Sequence, residues 1–123
     1  MSFFQTLKSL FTPAARVTPR SCAPRVRAGA ALLVDVREAR EWPAGVAQDA
    51  VLLPLSDLTG PRTRWAPFLA GAGRREILLY CASGGRSGLA ARVLAGEGFR
   101  VANTGGLNDW ADTGWPIVKP GRR

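Results

Sequence analysis

An apolar run that stops on a cysteine and a glycine-rich turn constrains this chain more than any other stretch. Residues Glu76 to Ser87 read EILLYCASGGRS. Ile77, Leu78, Leu79 and Tyr80 form a short run of β-formers, the pattern of a strand buried on both faces of a parallel sheet. Cys81 stands at its end. Ala82, Ser83, Gly84 and Gly85 permit a tight turn whose backbone amides can point inward. Ser87 is expected to cap a helix from Gly88 to Glu97 (GLAARVLAGE), with Leu89, Val93 and Leu94 on one face. A thiolate at such a junction lies among N–H donors and at the positive end of a helix dipole, which lowers its pKa. The stretch is therefore a place for an anionic sulfur nucleophile.

The rest of the chain supplies a sheet for that strand. Ala31–Val36 (ALLVDV), Ala50–Leu53 and Phe99–Ala102 read as further strands, and Arg16–Thr18 as a short edge strand. Ser21–Ala28 is a weak helix expected to break near Pro24. A helical turn from Glu38 to Trp42 stops at Pro43 and Gly45. Ser56–Leu58, Thr63–Ala70 and Leu107–Ala111 are helical, and Gly114 to Val118 is an extended tail. Strands alternating with helices predict an α/β fold with a parallel sheet covered on both faces. In such sheets sites lie beyond the carboxyl ends of the strands. Two of those ends carry polar chemistry, Asp35-Val36-Arg37 and Cys81. The first reads as a pair tying a strand end to a neighbouring loop. Trp42, Trp65, Trp110 and Trp115 read as packing.

A chain of 123 residues is one domain. It contains no histidine, which excludes a Cys–His dyad, a His-ligated metal site and a Ser–His–Asp triad. Any cysteine chemistry must be activated by backbone dipoles and arginine. Two cysteines make no disulfide framework. Cys22, with no glycine loop beside it, reads as an incidental thiol. Cys81 has a core-packing reading too, since free cysteine is often buried, but the turn that follows it favours chemistry.

The net charge is +8, and Met1 to Val34 holds Lys8, Arg16, Arg20, Arg25 and Arg27 with no acid. These cations are scattered and no aromatics interleave with them, so they read as a solvated face and no nucleic-acid partner is expected. No uncharged apolar run approaches the ~18 residues of a membrane span. Ser2–Phe11 is a short amphipathic stretch, too interrupted by Lys8 for a secretory segment. It reads as a docked N-terminal helix, with an organelle transit peptide as the alternative. A cytoplasmic location is expected.

Three blocks, in order, resemble a single-domain rhodanese: LLVDVREAREW (Leu32 to Trp42), LYCASGGRSGLAARVLAGEGF (Leu79 to Phe99) and NTGGLNDWADTGWPI (Asn103 to Ile117). The middle block carries Cys81 to Arg86 in the pattern C-x-x-G-x-R. The resemblance implies a rhodanese-like three-layer sandwich, a five-stranded parallel sheet with helices on both faces. It implies an N-terminal extension over 1–15, the domain over 16–120 and a basic tail over 121–123. Cys81 would then be the catalytic sulfur acceptor, forming a persulfide by ping-pong chemistry. The amides of Ala82, Ser83, Gly84, Gly85, Arg86 and Ser87 would surround the persulfide anion, and Arg86 would help to dock an anionic donor. The implied partners are a small anionic sulfur donor, such as thiosulfate or a persulfide, and a thiol, cyanide or protein-cysteine acceptor. No cofactor and no metal are implied. One departure is visible: Gly45-Val46-Ala47 stands where the family usually has Gly-His-Ile, so a local repacking is expected there.

Two other functions compete. Cysteine-dependent phosphatases and arsenate reductases use a cysteine and an arginine on a similar loop, but with five residues between them to wrap a tetrahedral oxyanion. Here four residues separate Cys81 from Arg86, which makes a smaller cradle suited to one sulfur atom. A non-catalytic binding module on this fold often lacks the cysteine, which this chain keeps.

Overall fold

The computed structural model describes residues 14–121, so the expected amphipathic helix at Ser2–Phe11 and the last two residues of the basic tail lie outside the described residues. In chain order the elements are β1 (Ala15–Arg16), α1 (Pro19–Arg27), β2 (Ala31–Asp35), a 3₁₀ helix (Ala39–Ala44), β3 (Val46–Ala47), β4 (Val51–Leu52), α2 (Leu55–Leu58), α3 (Trp65–Ala72), β5 (Glu76–Cys81), α4 (Gly85–Gly96), β6 (Val101–Gly106), α5 (Leu107–Asp112) and β7 (Ile117–Val118). Five strands lie side by side in the order β1-β6-β5-β2-β4, and every pairing is parallel. This is the expected five-stranded parallel sheet. No helix of the described residues is long and apolar enough to cross a membrane.

Strand alternation divides the core into two layers. On one face Ile77, Leu79 and Cys81 pack with Leu58 of α2, Trp65 and Ala72 of α3, and Ala90, Ala91 and Leu94 of α4. On the other, Leu78 and Tyr80 pack with Cys22, Ala23 and Val26 of α1 and with Trp110 of α5. Both layers are needed because β5 and β2 are apolar on both sides. The period-two rule therefore places Cys81 against α4, at the carboxyl end of the central strand.

Several boundaries differ from those read in the sequence. The α1 helix runs unbroken through Pro24. The proline removes one amide donor, but the carbonyl of Pro24 still accepts from Ala28 N at 3.0 Å. Thr18 caps the helix through Ser21 N, and Pro19 occupies its first turn, where a missing N–H costs nothing. The α4 helix begins at Gly85, not Gly88, so Ser87 is not its cap. The N-cap position is Gly84, at φ +104°, a left-handed conformation that glycine adopts without strain. The tail pairs, as β7, antiparallel to β3. Val46, at the position of the usual family histidine, is fully buried in that pairing.

The end of β2 is held by a buried network. The Asp35 carboxylate accepts from Arg37 Nε and Nη2 at 3.1 and 2.8 Å, from the Tyr80 hydroxyl at 2.6 Å and from Trp42 Nε1 at 3.3 Å. Arg37 Nη2 also donates to the Gly45 carbonyl at 2.7 Å. The pair thus ties the strand end to the 3₁₀ helix, as expected. Asp35→Ala would leave the Arg37 cation buried without its anion. A loss of about 3–5 kcal/mol in denaturant unfolding is expected. A loss below ~1 kcal/mol would put the pair among weak surface ion pairs instead.

Candidate active site

Cys81 is the last residue of β5 and is 1% exposed, so its sulfur is recessed in the loop that follows. Gly84 N donates to Cys81 Sγ at 3.0 Å. The left-handed turn at Gly84 folds the loop back onto the sulfur, and α4 starts at the next residue. Ser87, in the first turn of α4, brings its hydroxyl to 3.5 Å from Sγ. Burial by itself would raise the Cys81 thiol. The Ser87 hydroxyl and the backbone amides of Ser87, Ser83 and Gly84 oppose that, and the thiol lies below the ordinary cysteine value. Cys22 is the contrast. Its thiol donates to the Pro19 carbonyl, and burial pushes it up to about 11.

The loop is shaped from behind by β6. Pairing between β5 and β6 is irregular here: Leu79 faces Asn103, but Cys81 faces Gly106. The extra residue tucks Gly105-Gly106 beneath the loop. Asn103 clamps the assembly. Its Oδ1 accepts from Ser87 Oγ at 2.7 Å and from Gly105 N at 3.0 Å, and its Nδ2 donates to the Gly84 carbonyl at 3.0 Å. A β-carbon on Gly106 would lie 2.3 Å from the Ala82 carbonyl oxygen. None of this was expected from the sequence. The signal lay in the third block, NTGGLNDW, whose first four residues form this floor.

Arg86, at the end of the loop, is paired with a carboxylate. Its two terminal nitrogens bind the Glu41 carboxylate of the 3₁₀ helix at 2.6 and 2.9 Å. Glu41 was not anticipated as a neighbour of the loop. The Arg86 guanidinium holds its carboxyl down to about 2. Arg86 is raised above the usual arginine value, chiefly by Glu41 and also by the Cys81 sulfur.

The predicted residues Cys81, Ser83, Gly84 and Ser87 thus converge on one sulfur atom, with Arg86 at the rim. Ala82 contributes its carbonyl to the contact with Gly106. Gly85 opens α4, with nothing within 4 Å of the position a β-carbon would take. Among the described residues no group of carboxylates and thiols could hold a metal ion.

The cradle predicts two separated thiol titrations. One falls below the ordinary cysteine value and belongs to Cys81; the other, raised by burial to about 11, belongs to Cys22. Thiolate absorbance followed against pH is expected to show both. Ser87→Ala should raise the first and leave the second in place. An unmoved first titration would remove Ser87 from thiolate stabilisation.

Comparison with known proteins places these features. The profile of the Rhodanese-like domain family matches residues 18–113. A sulfurtransferase of Allochromatium vinosum is 40% identical over 91 residues, covering 72% of this chain and 79% of that protein. The crystal structure of a rhodanese-related protein from Thermoplasma volcanium superposes with a TM-score of 0.65 at 26% identity, covering 85% of this chain and 97% of the other. A Rhodopseudomonas palustris protein of unknown function, described as a possible tyrosine phosphatase, superposes with a TM-score of 0.71 at 27% identity, covering 85% of each chain.

Proposed function

The chain belongs to the rhodanese-like family, and from that premise we propose that it is a sulfurtransferase carrying sulfane sulfur as a Cys81 persulfide. The observation that carries this reading is the Gly84 N–H on Cys81 Sγ at 3.0 Å, inside a loop with four residues between Cys81 and Arg86. Amide donors aimed at a recessed sulfur stabilise an anion there without histidine.

The first half-reaction forms a bond between Cys81 Sγ and the outer sulfur of the donor. The donor's own bond to that sulfur breaks, and the electron pair leaves with sulfite if the donor is thiosulfate, or with a thiolate if it is a persulfide. Cys81–S–S⁻ remains, its terminal sulfur within the amides of Ala82 to Ser87. In the second half-reaction a nucleophile such as cyanide, a thiol or a protein cysteine takes the outer sulfur. The Cys81 thiolate is released with the electron pair of the S–S bond. The amides and the α4 dipole serve the anion in both states, because the sulfur stays negatively charged before and after transfer.

The phosphatase alternative has support in the description of the Rhodopseudomonas palustris protein. The shorter loop weighs against it, since fewer amides face the site than three equatorial phosphoryl oxygens require. Treatment with a persulfide or thiosulfate should add one sulfur atom to the intact mass, and cyanide should remove it as thiocyanate. Turnover of an aryl phosphate that depends on Cys81, without any sulfur gain, would overturn the assignment.

A further inference from the structure

We propose that Glu41 determines donor choice, turning the site away from dianionic thiosulfate and toward monoanionic organic persulfides; this rests on Cys81 being the sulfur acceptor. Arg86 is the only charged residue between Cys81 and Ser87, and so the one cation the loop itself offers an incoming anion. Glu41 occupies both of its terminal nitrogens. The bidentate contact is the arrangement an arginine would otherwise make with a sulfonate. An oxyanion arriving at Arg86 must therefore compete with a carboxylate already in place.

The Glu41 carboxylate is anchored as well as paired. Its Oε1 accepts from Glu38 N at 3.1 Å, closing the first turn of the 3₁₀ helix. That helix is in turn held through Trp42 and Arg37 by buried Asp35. The carboxylate is thus held on its own helix by Glu38 N as well as by Arg86. Glu38, which caps the same 3₁₀ helix, has its carboxylate engaged by the amide and hydroxyl of Ser56, which bring no positive charge. Behind it, Arg37 is spent on Asp35.

The chemistry makes the charge count matter. With thiosulfate, a thiolate meets a dianion and the leaving group, sulfite, carries two charges. With an alkyl persulfide, the thiolate meets one negative charge and the leaving thiolate carries one. The sulfur itself is equally well served by the amides in either case. At the rim, the cancelling of Arg86 by Glu41 bears more heavily on the dianion than on the monoanion. Both side chains are part exposed, at 34% for Arg86 and 26% for Glu41, so solvent moderates the effect to a modest factor.

Glu41→Gln tests this in the full chain. Glutamine keeps the acceptor for Glu38 N and removes the negative charge. Steady-state rates are measured with thiosulfate and with cysteine persulfide generated in place, each with cyanide as acceptor, while Cys81 loading is followed separately by intact mass. Glu41→Gln is expected to lower KM for thiosulfate about three- to fivefold, the scale of a partly exposed ion pair, with kcat little changed. The KM for cysteine persulfide should move less, the difference should shrink at high salt, and Glu41→Asp should behave as the parent does. An unchanged or higher KM for thiosulfate, or an equal change for both donors, would overturn the role of Glu41. If the parent gains no sulfur from either donor, the sulfurtransferase reading itself falls and this proposal with it. Sulfur loading in the parent without a donor split in Glu41→Gln would overturn only the Glu41 proposal.

Discussion

Cys81→Ser is expected to lose sulfur transfer by a factor on the order of a thousand or more, with no sulfur added to the intact mass. A serine hydroxyl is a poor nucleophile toward divalent sulfur, and its proton is far harder to remove than that of the thiol. The surroundings of Cys81 do nothing to correct this, because the chain contains no histidine to act as a base. The Gly84 amide and the Ser87 hydroxyl help only a group already anionic. The fold should be retained, since serine is the smaller side chain and introduces no clash, and the site keeps its donors for the hydroxyl. Cys22→Ser should keep full sulfur loading. Its thiol is fully buried, bonded to the Pro19 carbonyl and pushed up to about 11, so it offers little thiolate. A sulfur gain surviving in Cys81→Ser, or lost in Cys22→Ser, would reassign the acceptor.

The parts of this site legible in the sequence are those set by neighbours along the chain. An apolar run of β-formers, a cysteine and four small residues place a thiol at a strand end beside a helix start. The loop spacing is a count that needs no structure. The parallel sheet follows from strands alternating with helices. What escaped the sequence depends on contacts between distant segments. Glu41 meets Arg86 across 45 residues, and Asn103 meets Ser87 across 16. A serine beside the start of a helix ordinarily caps it, which is the local expectation for Ser87. Here Gly84 takes the cap position through its left-handed conformation, and the Ser87 hydroxyl turns inward to Asn103 and Cys81 instead. The local rule failed at the one serine whose oxygen is used by the site, in keeping with functional positions being where local preferences yield.

Gly106→Ala is expected to abolish most sulfur transfer while leaving the fold largely in place. Gly106 has φ −110° and ψ 168°, an ordinary extended conformation open to any residue. Backbone freedom is therefore not why glycine stands there. The reason is steric: a β-carbon would lie 2.3 Å from the Ala82 carbonyl oxygen, 3.0 Å from its carbon and 3.2 Å from Ser83 Cα. All three are backbone atoms of the Cys81 loop, so no side chain can rotate away to make room. The loop must lift, and it carries the Ser83 and Gly84 amides off Sγ. A displacement near 1 Å in such a cradle costs about a hundredfold in rate, and overpacking of this kind costs about 1–3 kcal/mol in stability. The thiolate, stripped of its amide donors, should also titrate higher than in the parent. Gly71→Ala is the matched control. Gly71 lies within α3, before the start of β5 whose other end carries Cys81, with open space around its β-position, so helix propensity alone predicts equal or slightly greater stability and unchanged sulfur loading. Retained activity in Gly106→Ala, with the Cys81 titration unmoved, would show that the floor beneath the loop yields, and that the thiolate does not depend on the amides it holds in place.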